Sequence, residues 1–174
     1  MKYDLWHKIG HTFITSAHQG YVEDGMRSNT LSAFWLAAQR GADMIETDAR
    51  ASSDGVMMVN HDPIVRGFDE AGRPVEYDIA TTPSEVLKRV ILARDRFGVQ
   101  YMPTLVEALS LCYRTGMRIN IDLKNGAAYA ELTAKLVCVV NRIRHIFFGL
   151  VCRITEHHTL IARTDCFDFF IAHL

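Results

Sequence analysis

The chain has 174 residues, 49% of them hydrophobic and 22% charged, with a formal net charge of −1. That composition builds one folded domain with a substantial core and excludes a disordered tract. The near-zero charge excludes a broad basic field for nucleic acid or an anionic membrane, so any phosphate chemistry must be local.

The four cysteines, Cys112, Cys138, Cys152 and Cys166, form no CxxC pair and read as free thiols of a reducing compartment. Residues 1–8 lack the apolar stretch of a signal peptide. The most apolar tract, 136–154, is interrupted by Asn141, Arg142, Arg144 and His145, which argues against a transmembrane helix. The expectation is a soluble, cytoplasmic protein with no integral membrane segment and no nucleic-acid partner.

In chain order, residues 13–17 are a short β-prone segment ending at His18-Gln19-Gly20. A polar loop follows, and Ser28 or Asn29 is expected to cap a helix running to Arg40. Leu31, Phe34, Trp35 and Ala38 form its buried face, and Gly41 stops it. Strands are predicted at 44–49 and 56–60, joined by a turn at Asp54-Gly55. Residues 64–80 read as a long polar loop with a hairpin around Glu70-Ala71-Gly72-Arg73. Thr82-Pro83-Ser84-Glu85 has the pattern of a capping box with proline at the first helical position. A helix is therefore expected from there to Gly98, striped by Val86, Leu87, Val90 and Ile91.

Thr104-Leu105-Val106-Glu107 repeats the capping box and opens a helix that buries Leu105, Ala108, Leu109 and Cys112 before Gly116. Residues 118–124 are the clearest strand, with Ile119, Ile121 and Leu123 on one face and Asn120, Asp122 and Lys124 on the other. A polar face on a central strand is costly unless it lines a site. A helix over 127–142 and an apolar segment over 146–152 follow. Strands alternating with capped helices predict an α/β fold with a parallel sheet, its polar groups gathered at strand C-termini as in a (β/α) barrel. With four to five βα units, the expectation is a partial or truncated TIM barrel, since a full barrel needs roughly 200 to 250 residues.

The candidate site comprises His18, Glu46, Asp48, His61 and Asp122, with Lys124 nearby. Glu46 and Asp48 are two apart, so a strand points both carboxylates to one face, with Cα atoms roughly 7 Å apart. Each residue alone has a plain reading as a solvated or capping group. Together, at the ends of separate strands, they suggest a metal-assisted acid/base site.

The motifs His18-Gln19-Gly20, Asn29 to Phe34, Gly41 to Asp48, Ser53 to Val56 and His61-Asp62-Pro63 resemble the glycerophosphodiester phosphodiesterase family in order and spacing. Pro103-Thr104-Leu105, Glu107-Ala108-Leu109 and Asn120 to Lys124 continue the likeness, which covers residues 13–125 as a family-like catalytic region. Residues 1–174 are then expected to be one incomplete (β/α)-barrel domain, with 142–174 a divergent, aromatic-rich tail that includes His157-His158.

The resemblance implies a TIM barrel that hydrolyses glycerophosphodiesters to glycerol 3-phosphate and an alcohol. It implies Glu46, Asp48 and Asp122 as metal ligands, His18 and His61 as the acid/base pair, and Gln19 and Lys124 at the substrate phosphate. Hard carboxylate oxygens suit Mg²⁺ or Ca²⁺. Three positions depart from the family pattern. Gln19 stands where arginine is usual, Asp122 where glutamate is, and Ser28 where glutamate precedes Asn29-Thr30. Two other readings compete with the enzyme. One is an inactive remnant or binding module of the same fold, its open barrel edge covered by a homo-oligomer. The other is a phospholipase of the sphingomyelinase D-like group.

Overall fold

The computed structural model describes residues 15–124, positions 129, 133 and 136, and the strand segments 150–154, 163–164 and 167–168. Strand β1 (Ser16–His18), helix α1 (Leu31–Gln39) and strand β2 (Met44–Ala51) form the opening βαβ unit, with β1 parallel to β2. A tight turn returns the chain as β3 (Met57–Val59), antiparallel to β2. Helix α3 (Leu105–Thr115) leads into β8 (Arg118–Leu123), which lies parallel to β2 on its other side. The apolar segment expected at 146–152 supplies β9 (Leu150–Ile154), parallel to β8. The sheet runs β1-β2-β8-β9, with β3 beside β2.

Between β3 and α3 the chain builds a second, antiparallel sheet in the order β5-β4-β6-β7. Its strands are β4 (Ile64–Phe68), β5 (Pro74–Asp78), β6 (Ile91–Asp95) and β7 (Gly98–Tyr101). The predicted hairpin at 70–73 joins β4 to β5, so most of the expected loop is strand. Helix α2 (Ser84–Leu87) is a single turn rather than the expected helix to Gly98. Two residues explain the difference. Pro83 stands at the cap without a side-chain bond, and the first turn is capped instead by the Asp54 carboxylate, which accepts from Ser84 N at 3.0 Å and Ser84 Oγ at 2.7 Å. Beyond the turn, Val90 and Leu92 enter a core with Met58, Val65, Ile79 and Met102, Ile91 is buried, and pairing with β7 outweighs the helical pattern. Gly67 permits the crossing of β4 over β6: a Cβ there would come within 2.4 Å of the Ile91 carbonyl oxygen.

The main core lies between the parallel sheet and its helices. Ile45, Ala49, Ile119, Ile121 and Leu123 turn outward to meet Phe34 and Ala37 of α1 and Leu105, Ala108 and Leu109 of α3. Period-2 alternation therefore leaves Glu46, Asp48, Asn120 and Asp122 for the opposite face. Thr104 and Glu107 form the expected reciprocal capping box, and Gly116 ends α3 in a left-handed conformation.

Helix α1 differs from expectation at two points. Its N-cap is Thr30, whose Oγ1 accepts from Ala33 N, and its buried residues are Ser32, Ala33, Phe34, Leu36 and Ala37. Trp35 faces outward, edge-on to Phe97 of the β6–β7 turn at 5.3 Å. Ser32 Oγ also donates to Asp95 at 2.7 Å, while Glu23 pairs with both Arg40 and Arg96. The second sheet thus holds the loop between β1 and α1 in place. Tyr129 lies in a 3-10 turn, Thr133 and Leu136 are helical, and the other positions of the helix expected over 127–142 lie outside the described residues, as do His157 and His158.

Candidate active site

Register brings the predicted residues together. His18, Glu46 and Asn120 are aligned across β1, β2 and β8, and Asp48 is aligned with Asp122 two residues further on. Neighbouring strands lie about 4.8 Å apart, so side chains on one face at matched register must meet. One oxygen from each of Glu46, Asp48 and Asp122 lies within 4.8 Å of the others. Asp48 and Asp122 are buried, and the Glu46 side chain is 18% exposed.

The donors around these carboxylates are few. Asp48 Oδ2 accepts from Gln19 Nε2 at 2.8 Å and from Asn29 Nδ2 at 2.9 Å. Lys124 Nζ lies 3.0 Å from Asp48 Oδ1 and 2.8 Å from Asp122 Oδ2. Glu46 Oε2, Asn120 Oδ1 and Asp122 Oδ1 are buried with no hydrogen-bond partner. A buried polar atom without a partner costs roughly 1–3 kcal/mol, and three such oxygens on one face of two paired strands are what a hard divalent cation satisfies. The residues present therefore fit an oxygen-ligated metal ion.

Electrostatics agree. Burial raises the Glu46 carboxyl above its ordinary range, and repulsion from Asp48 and Asp122 adds to it against attraction from His18 and Lys124. Burial pulls Lys124 down, but its bonds to Asp122 and Asp48 more than offset that and hold the ammonium charged.

The turn after β1 is built to deliver these groups. Gln19 and Asn29 both adopt left-handed backbone, each with φ 56°, an uncommon choice outside glycine that functional sites often hold. Gln19 N bonds the Glu46 carbonyl at 2.8 Å and Asn29 N bonds the Gln19 carbonyl at 2.9 Å, which fixes the turn. Gly20, at φ +91°, packs so closely on α1 that a Cβ would lie 2.8 Å from Ala33.

His18 Nε2 lies 3.6 Å from Glu46 Oε2, with the imidazole largely exposed. His61 follows β3, where Asn60 N bonds the Asp48 carbonyl at 3.1 Å. Its Nδ1 lies 2.8 Å from Asp62 Oδ1, and this bond holds the Asp62 carboxyl below its ordinary range. Such a contact orients the ring.

The structure thus gathers His18, Gln19, Glu46, Asp48, Asp122 and Lys124 around one cluster and places His61 at the end of the adjoining strand. Gln19 and Lys124, expected at a substrate phosphate, both direct their donors to the carboxylates. Four participants were absent from the predicted set. Asn120 and Arg50 share strand faces with Asp122 and with Glu46 and Asp48, so the period-2 rule already contained them. Asp62 is adjacent to His61 in sequence. Asn29, which also accepts from Thr47 Oγ1 at 2.9 Å, depends on a left-handed turn that no local pattern announces.

Comparison with known proteins gives consistent results. The model of the glycerophosphoryl diester phosphodiesterase family matches residues 18–171. Glycerophosphodiester phosphodiesterase 1 of Mus musculus is 36% identical over 124 residues, which is 68% of this chain and 36% of the mouse protein. A glycerophosphodiester phosphodiesterase of Caldanaerobacter subterraneus is 30% identical over 122 residues, 70% of this chain and 49% of the relative. The chain therefore spans between a third and a half of the length of these curated relatives. The structure of an Oleispira antarctica phosphodiesterase in complex with the product sn-glycerol-3-phosphate superposes with a TM-score of 0.65 at 25% identity, covering 83% of this chain and 58% of that one.

Proposed function

Because the chain belongs to the glycerophosphoryl diester phosphodiesterase family, we propose that it carries the site of a metal-dependent hydrolysis of glycerophosphodiesters to glycerol 3-phosphate and an alcohol. The observation that carries this reading is the convergence of Glu46, Asp48 and Asp122, with partnerless buried oxygens, beside a histidine. The same reading takes the sheet β1-β2-β8-β9 as a sector of a (β/α) barrel, with the site at the strand C-termini.

Glu46, Asp48 and Asp122 would hold Mg²⁺ or Ca²⁺, and the Asn120 Oδ1 is a further oxygen on that face. The bound ion would supply charge neutralisation and Lewis-acid stabilisation at the phosphodiester oxygens. Gln19 and Asn29 orient Asp48 by donating to Oδ2, and its Oδ1 faces the Lys124 ammonium at 3.0 Å. Lys124, kept charged, bridges Asp48 and Asp122 and limits their repulsion.

His18 ends β1 and His61 lies two residues past β3, and both strands pair with β2. In the hydrolysis one imidazole would remove a proton from the attacking water, whose oxygen bonds to phosphorus as the bond to the departing alkoxide breaks. The other delivers a proton to the leaving alkoxide, so the pair exchanges protonation states over the step. Each transfer contributes roughly 10²–10⁴-fold. Asp62 holds the His61 ring in one orientation for this.

The test is turnover of glycerophosphocholine with and without a chelator, followed as glycerol 3-phosphate release. His18→Ala and His61→Ala are each expected to lower kcat by roughly 10²–10⁴-fold. A folded, metal-loaded protein that releases no glycerol 3-phosphate refutes the proposal.

A further inference from the structure

A phosphodiester carries a negative charge into a site whose own carboxylates are already in excess of its cations. Lys124 is engaged by two of those carboxylates, and Gln19 is neutral and bonded to Asp48. Arg27, on the loop before α1, has one nitrogen of its Nη fork spent on the Arg66 carbonyl, to which Nη1 donates at 2.6 Å, and Asp62 is the charge that faces it. Arg50 is different. It stands two residues beyond Asp48 and four beyond Glu46 on β2, so alternation puts all three on one face. Its Nε donates to the His61 carbonyl at 2.8 Å. No described residue accepts from its Nη groups.

The charge environment points the same way. Burial disfavours the Arg50 guanidinium, and Asp48, Asp62 and Asp122 are the first three charges that draw it back. A guanidinium within the field of two of the carboxylates, anchored through one nitrogen and with its Nη edge unbonded, has the donor fork that matches two phosphate oxygens.

We infer that Arg50 is the side chain that binds the phosphate of the substrate, taking the charged role that Gln19 cannot. The Nε bond to the His61 carbonyl places the fork beside the end of β3, so the same arginine sets His61 relative to the bound phosphate. This rests on the phosphodiesterase reading.

The test measures glycerol 3-phosphate binding to the full chain by titration calorimetry, with Mg²⁺ or Ca²⁺ present, together with KM and kcat on glycerophosphocholine. Arg50→Gln is expected to weaken glycerol 3-phosphate binding about tenfold to a hundredfold, the loss typical of a charged hydrogen-bonding group. KM rises in parallel, and affinity becomes less sensitive to salt. Arg50→Lys keeps the charge without the fork and is expected to fall between native and Arg50→Gln. It also serves where Arg50→Gln does not fold.

Binding within twofold of native in a folded variant overturns the inference and leaves the phosphodiesterase reading standing. So does a variant whose kcat and pH profile change while product affinity does not, since that result makes Arg50 only an anchor for the His61 loop. Native protein that neither binds glycerol 3-phosphate nor turns over substrate overturns both.

Discussion

Replacing Glu46 by glutamine separates the two demands that the cluster makes on the fold. Without a metal, three carboxylates lie within 4.8 Å of one another, and at that distance two like charges repel by about 3.5 kcal/mol at an effective dielectric constant of ~20. Attraction from Lys124 and His18 offsets part of this for Glu46, leaving a relief on the order of 1 to 3 kcal/mol when its charge is removed. At roughly 2–4 °C per kcal/mol for a chain of this size, metal-free Glu46→Gln melts a few degrees above the native protein.

Metal reverses the order. A ligand at a hundred times its dissociation constant stabilises by about 2.7 kcal/mol, so the native protein gains roughly 5 to 11 °C. The variant, one carboxylate short, gains far less. The assay is a pair of calorimetric melts for each protein, in chelator and in excess Mg²⁺ or Ca²⁺. A variant that melts below native in chelator, or that gains as much from metal, refutes the assignment of this cluster as a metal site held at the expense of apo stability.

Three further predictions follow from the same structure. Asn29→Gly keeps the left-handed backbone but deletes the amide on Asp48, and metal affinity by titration is expected to fall roughly 10- to 100-fold; unchanged affinity would mean that Asn29 does not orient the ligand. Gly20→Ala places a Cβ 2.8 Å from Ala33 at a φ of +91°, so chemical denaturation should show a loss of at least about 2 kcal/mol, combining left-handed strain with overpacking. Asp54 is held at a pKa of about 2, first by its bond from Ser52 and then by those from Ser84. A depressed carboxyl stabilises the fold above its unfolded pKa and loses that contribution as pH falls toward 2. The native melting temperature should therefore converge on that of Asp54→Asn between pH 4 and 2, and curves that stay parallel would refute the cap.

The sequence was most informative where a local rule and a tertiary demand coincide. The capping box at Thr104 and Glu107, the alternation in β8 and the Glu46-x-Asp48 pair all appear in the structure as read, because each is set by a period or a bond within a few residues. The stretch 83–98 shows the opposite. Its capping pattern and stripe of Val86, Leu87, Val90 and Ile91 fit a helix. Yet Asp54, thirty residues away, caps only one turn, and pairing with β7 claims the remainder.

Trp35 followed the helical stripe in sequence, but Phe97 of the second sheet offers it a partner on the outer side. In the site, the carboxylates were legible from strand spacing. The turn that holds Gln19 and Asn29 was not, because left-handed backbone at non-glycine residues leaves no pattern.

The central claim is tested most directly by identifying the products of glycerophosphocholine. Phosphorus NMR of the reaction with the full chain and Mg²⁺ or Ca²⁺ is expected to show glycerol 3-phosphate appearing, with no conversion in chelator and none in a His18→Ala, His61→Ala double variant. Phosphocholine as the product, or conversion that ignores both the chelator and the histidines, would contradict the account.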